Sequence, residues 1–239
     1  RKTNADCCQE KGEFGMKIAD RHPRENGRDY AMRVIRDGII SLELEPGSVI
    51  SDRELATEMN LSRTPVREAL LELAKVKIVE IYPQRGSIVA LIDYNLVEEA
   101  QFIRSVLETA VVPLVCQKAT PDDMKALQEN MDLQDFYHEH NGEEKLLELD
   151  NEFHRMLFQI AGRMQAYEMM QSMTVHFDRV RSMAVASVKE QHWIEDHRQI
   201  LKEIRENHPE KAKKWMEKHL SRYQVDETDV RAKYPQFFK

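Results

Sequence analysis

Apolar positions recur at helical spacing from about Gly27 onward, with Tyr30, Val34, Ile35, Ile39 and Leu42 on one face. The run stops before Pro46-Gly47, a turn pair. Ser51, with Glu54 three residues on, has the pattern of a capping box. Leu55, Ala56 and Met59 give the short helix after it a buried side, and Asn60 suits the left-handed backbone that ends a helix. Ser62 stands where it can cap the next helix. Pro65 falls in that helix's first turn, where proline costs little, and Val66, Leu70 and Leu73 face inward. Two β-rich runs, residues 78–81 (IVEI) and 87–90 (SIVA), flank Pro83-Gln84-Arg85-Gly86 and predict a hairpin with a glycine at its tip. Three helices followed by a hairpin make a winged helix-turn-helix.

From Asp93 the period is helical almost to the end, with no strand-type alternation. The pattern predicts helices over 93–118, 120–140, 143–161, 164–189, 193–206 and 209–225, with Asn141-Gly142 and Gly162 as breaks. Six amphipathic helices with short connections form an antiparallel bundle. The fold class is therefore mainly α: an N-terminal winged helix-turn-helix followed by an antiparallel bundle of about six helices. Residues 1–25 carry no apolar period and read as a mobile tail. The domains are then 26–92 and 93–239. Residues 226–239 are expected either to pack on a neighbour or to have no fixed place.

Composition narrows the class. The chain has 239 residues, 41% hydrophobic and 32% charged, enough for real cores under a charged surface. No apolar run approaches the roughly 18 residues of a membrane span, and the polar start has no secretory pattern. Three cysteines (Cys7, Cys8 and Cys116) in no framework spacing fit a reducing, cytoplasmic setting. The net charge of −7 argues superficially against nucleic acid. Residues 26–92 hold 9 basic and 10 acidic side chains, and residues 93–239 hold 20 and 27. DNA binding must then rest on a local arginine cluster and not on a global field.

Such a cluster exists. Arg63 and Arg67 lie four apart on the second helix of the helix-turn-helix, and the arginine fork matches the two acceptors of guanine in the major groove. Thr64 and the backbone at Ser62 can hold phosphate at the helix start. Arg53 can reach the backbone or a base. Arg85-Gly86 can enter the minor groove, since glycine permits a close backbone approach. A well-capped surface helix with Arg67 paired to a nearby glutamate is the plainer alternative. The run SDRELATEMNLSRTPVREALLELAK with the wing YPQRGSIV resembles, over roughly residues 28–91, the DNA-binding domain of the GntR family of bacterial transcription regulators. The resemblance implies that Arg53, Arg63, Thr64, Arg67 and Gly86 contact DNA. Where the family carries glycine before the wing strand, this chain has Lys77; a positive φ there would cost roughly 1 kcal/mol.

The helical half carries a second constellation. Asp150 and His154 are four apart and share a helix face. His197 and His219 lie on two later helices. Three imidazoles and a carboxylate converging in a bundle core can bind a divalent metal. Equally, they can be buried histidines that only hydrogen-bond. His138, His140, His192 and His208 read as solvated or capping, and His176 is ambiguous. Arg104 and Glu108 in FIRSVLETA, Asp150 with Phe153-His154, then His197 and His219, resemble the FCD ligand-binding domain of the FadR subfamily over about residues 93–225. One departure is Gly162-Arg163, where the family often has glycine-asparagine. The resemblance implies a bound divalent metal, zinc first with nickel or manganese as alternatives, that helps to hold a small organic acid. Arg104 would grip the acid's carboxylate, with Arg181 as a second, weaker candidate. Asn151 is expected to face away from the site, being adjacent to Asp150.

These features point to a metabolite-responsive transcription regulator, a repressor by expectation. It would act as a homodimer on a pseudo-palindromic DNA operator, with no membrane partner. A metal sensor with no organic ligand is the first alternative. A metal-dependent hydrolase is the second; it lacks a general base beside the metal, since Glu152 is on the wrong face. An acyl-CoA-type effector is disfavoured because the metal ligand set is complete.

Overall fold

The computed structural model describes residues 16–83, 86–140, 142–185, 193–222 and 227–239. It divides into two compact units. One comprises the chain up to Tyr94 together with Tyr234–Lys239, and the other is Asn95–Lys233.

In the first unit, α1 (Gly27–Ile40) is capped by the Asn26 side chain, which accepts from the Asp29 amide. β1 (Val49–Ile50) follows, then α2 (Asp52–Glu58), α3 (Arg63–Lys75), β2 (Val79–Tyr82) and β3 (Gly86–Val89). The sheet order is β1-β3-β2, antiparallel throughout, with Ser87 opposite both Ile50 and Ile81. The predicted hairpin therefore gains a third strand, too short to show any alternation in the sequence. Ile35, Leu55, Val66, Leu70 and Ile78 are buried beneath it and form the unit's core. Half of the expected capping box forms at α2, where Ser51 accepts from Glu54 N at 3.3 Å without a return bond to the Glu54 side chain, and Asn60 takes φ +51 at the corner. Ser62 stands at the N-cap of α3 with extended backbone, but its side chain makes no capping bond. Lys77 adopts φ +62 in the turn before β2, the strained conformation that the missing glycine implied.

Both chain ends differ from expectation. Residues 16–25 are not loose: Met16 is fully buried, and its sulfur occupies the space a side chain on Gly38 would need. Arg33 on α1 grips Glu25 through two nitrogens, each at 2.9 Å. Met16 is the one fully buried side chain of this segment, with Ile18 and Ala19 half-buried, and so short a run carries no periodic signal. Residues 1–15 of the expected tail lie outside the described residues. At the other end, Pro235–Phe237 form a 3-10 turn, and Ile92 exchanges backbone hydrogen bonds with Phe237 O (2.8 Å) and Lys239 N (3.1 Å). Phe237 and Phe238 are both buried.

The second unit is all helix among its described residues: α4 (Tyr94–Lys118), α5 (Pro121–Glu139), α6 (Glu143–Ala161), α7 (Met164–Val185), α8 (Trp193–Arg205), α9 (Pro209–Arg222) and a short α10 (Glu227–Lys233). The expected ends of the fourth and sixth bundle helices, at 189 and 225, fall outside the described residues. Thr120 and Asp123 cap α5 reciprocally. Gly162 ends α6 at φ +70, and Arg163 N then closes the motif on Phe158 O at 2.8 Å. The Arg163 side chain also bonds at this junction, donating Nη1 to Gly162 O at 3.1 Å. Val112, Val115, Leu127, Phe153, Leu157, Ile200, Leu201 and Met216 form the core.

Candidate functional site

The helix-turn-helix presents its cations outward. Arg53, Ser62, Arg63, Thr64, Arg67 and Gly86 are all exposed, and Gly86 takes φ +96 at the wing. Arg85 lies outside the described residues. Arg63 and Arg67 share one partner. Arg63 Nη2 donates to both oxygens of Asp52 (2.9 and 3.0 Å), and Arg67 Nε donates to Oδ2 at 2.7 Å. The glutamate expected beside Arg67 is not its partner: the acid is Asp52, the first residue of α2, and it holds both arginines. Burial alone would push the Asp52 carboxyl up; the two guanidiniums outweigh that and hold it below its usual range.

In the second unit, Asp150 and His154 on α6 meet His197 on α8 and His219 on α9. Ligand atoms of all four lie within 4.8 Å of one another, and all four residues are buried. The α8–α9 turn makes this possible. Asn207 takes φ +54, and His208 N reaches back to Glu203 O at 2.9 Å, so the two helices form a tight hairpin. His197 and His219 are each eleven residues from His208, so the fold brings them level. Phe153 stacks on the His197 ring with centroids 4.2 Å apart.

Three Nε2 atoms point at one centre. His219 Nε2 lies 3.2 Å from His154 Nε2 and 3.3 Å from His197 Nε2. Asp150 Oδ1 is 3.7 and 3.5 Å from His154 and His197 Nε2. Ligands at metal bonds of about 2.0–2.1 Å in tetrahedral array stand about 3.4 Å apart. The proton count favours a cation too. His154 turns Nδ1 to the Glu108 carboxylate and His197 turns Nδ1 to Gln134 Oε1 at 3.0 Å. With those protons directed outward, two Nε2 lone pairs face a third nitrogen that can give a proton to only one of them. One divalent ion satisfies every donor atom.

Three of the four ligands are already in the protonation state that binds a metal. Burial drives His197 down to about 3 and His219 well below its ordinary value, so both rings are neutral. Burial would raise Asp150, but the Arg181 guanidinium and His154 hold it well below the carboxylate range. Glu108 is likewise pushed up by burial and pulled to about 2 by Arg104 and His154. For His154, burial pulls down while the charge of Glu108 pushes up, and the outcome is upward.

A cavity opens beside His154, lined by Arg104, Asn151, Tyr167, Gln171 and Thr174 among others. Arg104 is buried there and donates Nε to Glu108 at 2.6 Å. Arg181 does not line it. Its guanidinium is buried and committed to Asp150 Oδ2 at 2.5 Å, with Asn151 and Asp178 as further partners. Arg181 thus holds a cluster carboxylate and stands outside the cavity lining. Asn151, expected to face away, reaches the cavity wall: adjacent helical residues differ by about 100°, and Arg181 binds both. Glu152 pairs with Arg155 instead. His176 is buried in α7 apart from the four, and His192 lies outside the described residues.

The sequence reading missed Asp52, Gln134 and the amides on the cavity wall. Gln134 did carry a signal: with Asn130 it forms an i,i+4 amide pair beside the buried Leu127 and Met131.

A winged helix-turn-helix joined to a helical bundle with a buried acid–histidine cluster defines a class, and the comparisons agree. The bacterial regulatory proteins, gntR family, match residues 30–89, and the FCD domain matches residues 99–222. The chain belongs to the GntR family of transcription regulators, in the group that carries an FCD domain. An HTH-type transcriptional regulator in an unstable DNA locus of Streptomyces ambofaciens is 30% identical over 230 residues, covering 92% of this chain and 93% of that protein. The HTH-type transcriptional repressor RspR of Escherichia coli is 28% identical over 218 residues, covering 91% and 96%. E. coli McbR/YncC superposes with a TM-score of 0.76 at 20% identity over 88% of this chain and 99% of that one, a likeness of fold. The family consists of DNA-binding regulators and not enzymes.

Proposed function

We propose that this regulator is a repressor whose operator affinity is set by a small organic acid bound beside a divalent metal. Arg63 and Arg67 read guanines in the major groove, and Arg53, Ser62 and Thr64 hold phosphate. Arg85 and Gly86 enter the minor groove as a homodimer spans a pseudo-palindrome. Asp150, His154, His197 and His219 hold the metal, with zinc preferred by the N/O donor set. With a fifth position added beyond its four protein ligands, the metal would supply an electrophilic site for a carboxylate oxygen. Arg104, which lines the cavity, supplies the opposing charge, and the hydroxyl and amide groups there favour a polar acid. α4 starts five residues after β3 ends, so the effector unit is tied closely in sequence to the wing. An acid that binds one setting of the DNA-binding heads better than the other shifts the equilibrium between them.

The observation that carries this reading is the convergence of three buried Nε2 atoms and one ionised carboxylate on one point. The test is a thermal-shift screen of small carboxylic acids with and without a chelator. Stabilisation by an acid that disappears on metal removal supports the reading. Acids that act equally on chelated protein contradict it. For the DNA surface, Arg63→Ala or Arg67→Ala should each cost about 1–3 kcal/mol of operator binding with the fold intact. Retained selective binding in both variants would refute the assignment.

A further inference from the structure

An imidazole binds a metal only through its unprotonated nitrogen, so the partner of the other nitrogen decides which one is available. At His197 that decision runs back to a backbone carbonyl. Leu149 O can only accept, and Asn130 Nδ2 donates to it at 3.1 Å. The Asn130 oxygen is thereby turned to Gln134, whose Nε2 donates to it at 2.6 Å. That leaves Gln134 Oε1 facing His197 Nδ1 at 3.0 Å. An amide oxygen accepts and cannot donate, so the His197 proton must sit on Nδ1. Its Nε2 lone pair then faces His219 Nε2 at 3.3 Å and Asp150 Oδ1 at 3.5 Å. Turning both amides over would set the Asn130 oxygen against the Leu149 oxygen in a buried site, at the cost of an unsatisfied acceptor. Asn130 is 6% exposed, while Gln134 and His197 are fully buried, so water offers no alternative.

We propose that Asn130 and Gln134 are positioning residues that lock His197 in its Nδ1–H tautomer and present Nε2 to the metal before any ion arrives. This deepens the metal reading above and rests on it. The relay is electrically neutral, unlike the Glu108 carboxylate that receives His154 Nδ1. One histidine is therefore anchored by an anion and one by an amide, which orients His197 without adding a third carboxylate beside Asp150 and Glu108.

The test uses the full chain labelled with 15N and stripped of metal. Long-range 1H–15N correlation of the His197 ring reports its tautomer directly. The expected result is Nδ1–H in the native protein and a shift toward Nε2–H in Gln134→Leu. Zinc affinity, measured by competition with a chromophoric chelator, should fall about 10- to 100-fold in Gln134→Leu. Asn130→Ala, which frees the Gln134 amide to turn, should weaken zinc in the same direction. Gln134→Glu keeps an acceptor at Nδ1 and should bind zinc as tightly as the native chain or tighter. Nε2–H in the native protein, native zinc affinity in Gln134→Leu, or equal losses in the Leu and Glu variants would each overturn the proposal. A native chain that binds no zinc would instead refute the metal reading, while the tautomer measurement still decides the role of the relay.

Discussion

Asp52 draws Arg63 and Arg67 into one clasp, and the two arginines are the residues best placed to meet a duplex. Exposed ion pairs of this kind contribute about 0–1 kcal/mol each, so the clasp can yield to guanine while still orienting the forks in free protein. Its carboxylate also repels phosphate. Asp52→Ala should therefore raise affinity for arbitrary duplex DNA several-fold and shrink the ratio of operator to arbitrary binding; an unchanged ratio in a fluorescence titration would exclude this role. Glu25 makes a second residue-scale prediction. Its hydrogen bond to Arg33 is the largest influence and, with charge, lowers its carboxyl from 4.5 to about 2. A depressed acid stabilises fully above its unfolded value and less as pH falls through the folded one. Docking of residues 16–25 should thus hold above about pH 4.5 and weaken from there toward pH 2. Amide exchange of Lys17, whose N donates to Glu43, reports it. Arg63 with Arg67, and Asp150 with His154, stood out in the sequence because i,i+4 spacing puts each pair on one helix face, whereas His197 and His219, on separate helices, were marked by the family resemblance. Asp52 and Gln134 did not stand out, because their roles depend on partners 11 and 63 residues away.

Lys77 shows what one position can cost an element. At φ +62 a side chain is strained by roughly 1–2 kcal/mol, offset in glycine by roughly 0.5–1 kcal/mol of backbone entropy. Lys77→Gly should raise stability by up to about 1 kcal/mol, and Lys77→Val should lower it. A loss of stability in the glycine variant, measured by urea denaturation, would contradict the strain argument. The helices were legible in the sequence because capping residues and 3.6-residue periodicity act locally, as at Thr120 and Gly162. β1 was not, since two residues have no period, and its pairing with β3 joins Val49 to Ile88. The strap of residues 16–25 and the return of Phe237 to Ile92 escaped for the same reason: each depends on contacts distant in sequence.

At the scale of the whole molecule, we propose a homodimer in which a DNA-reading unit is joined to a metal-centred effector unit. Phe102 and Val106 on α4, 66% and 49% exposed, form an apolar i,i+4 pair suited to a second copy. Phe102→Glu should shift sedimentation toward monomer, and an unchanged dimer would place the interface elsewhere. In the proposed mechanism, metal, acid and DNA are coupled. The most direct measurement is operator affinity by fluorescence anisotropy with an acid identified by the thermal screen. It compares metal-loaded protein, chelated protein and a His219→Ala variant. In the loaded protein the acid should change operator affinity about 5- to 150-fold, leaving the other two proteins unmoved. An equal response in all three, or none in any, would contradict the coupling.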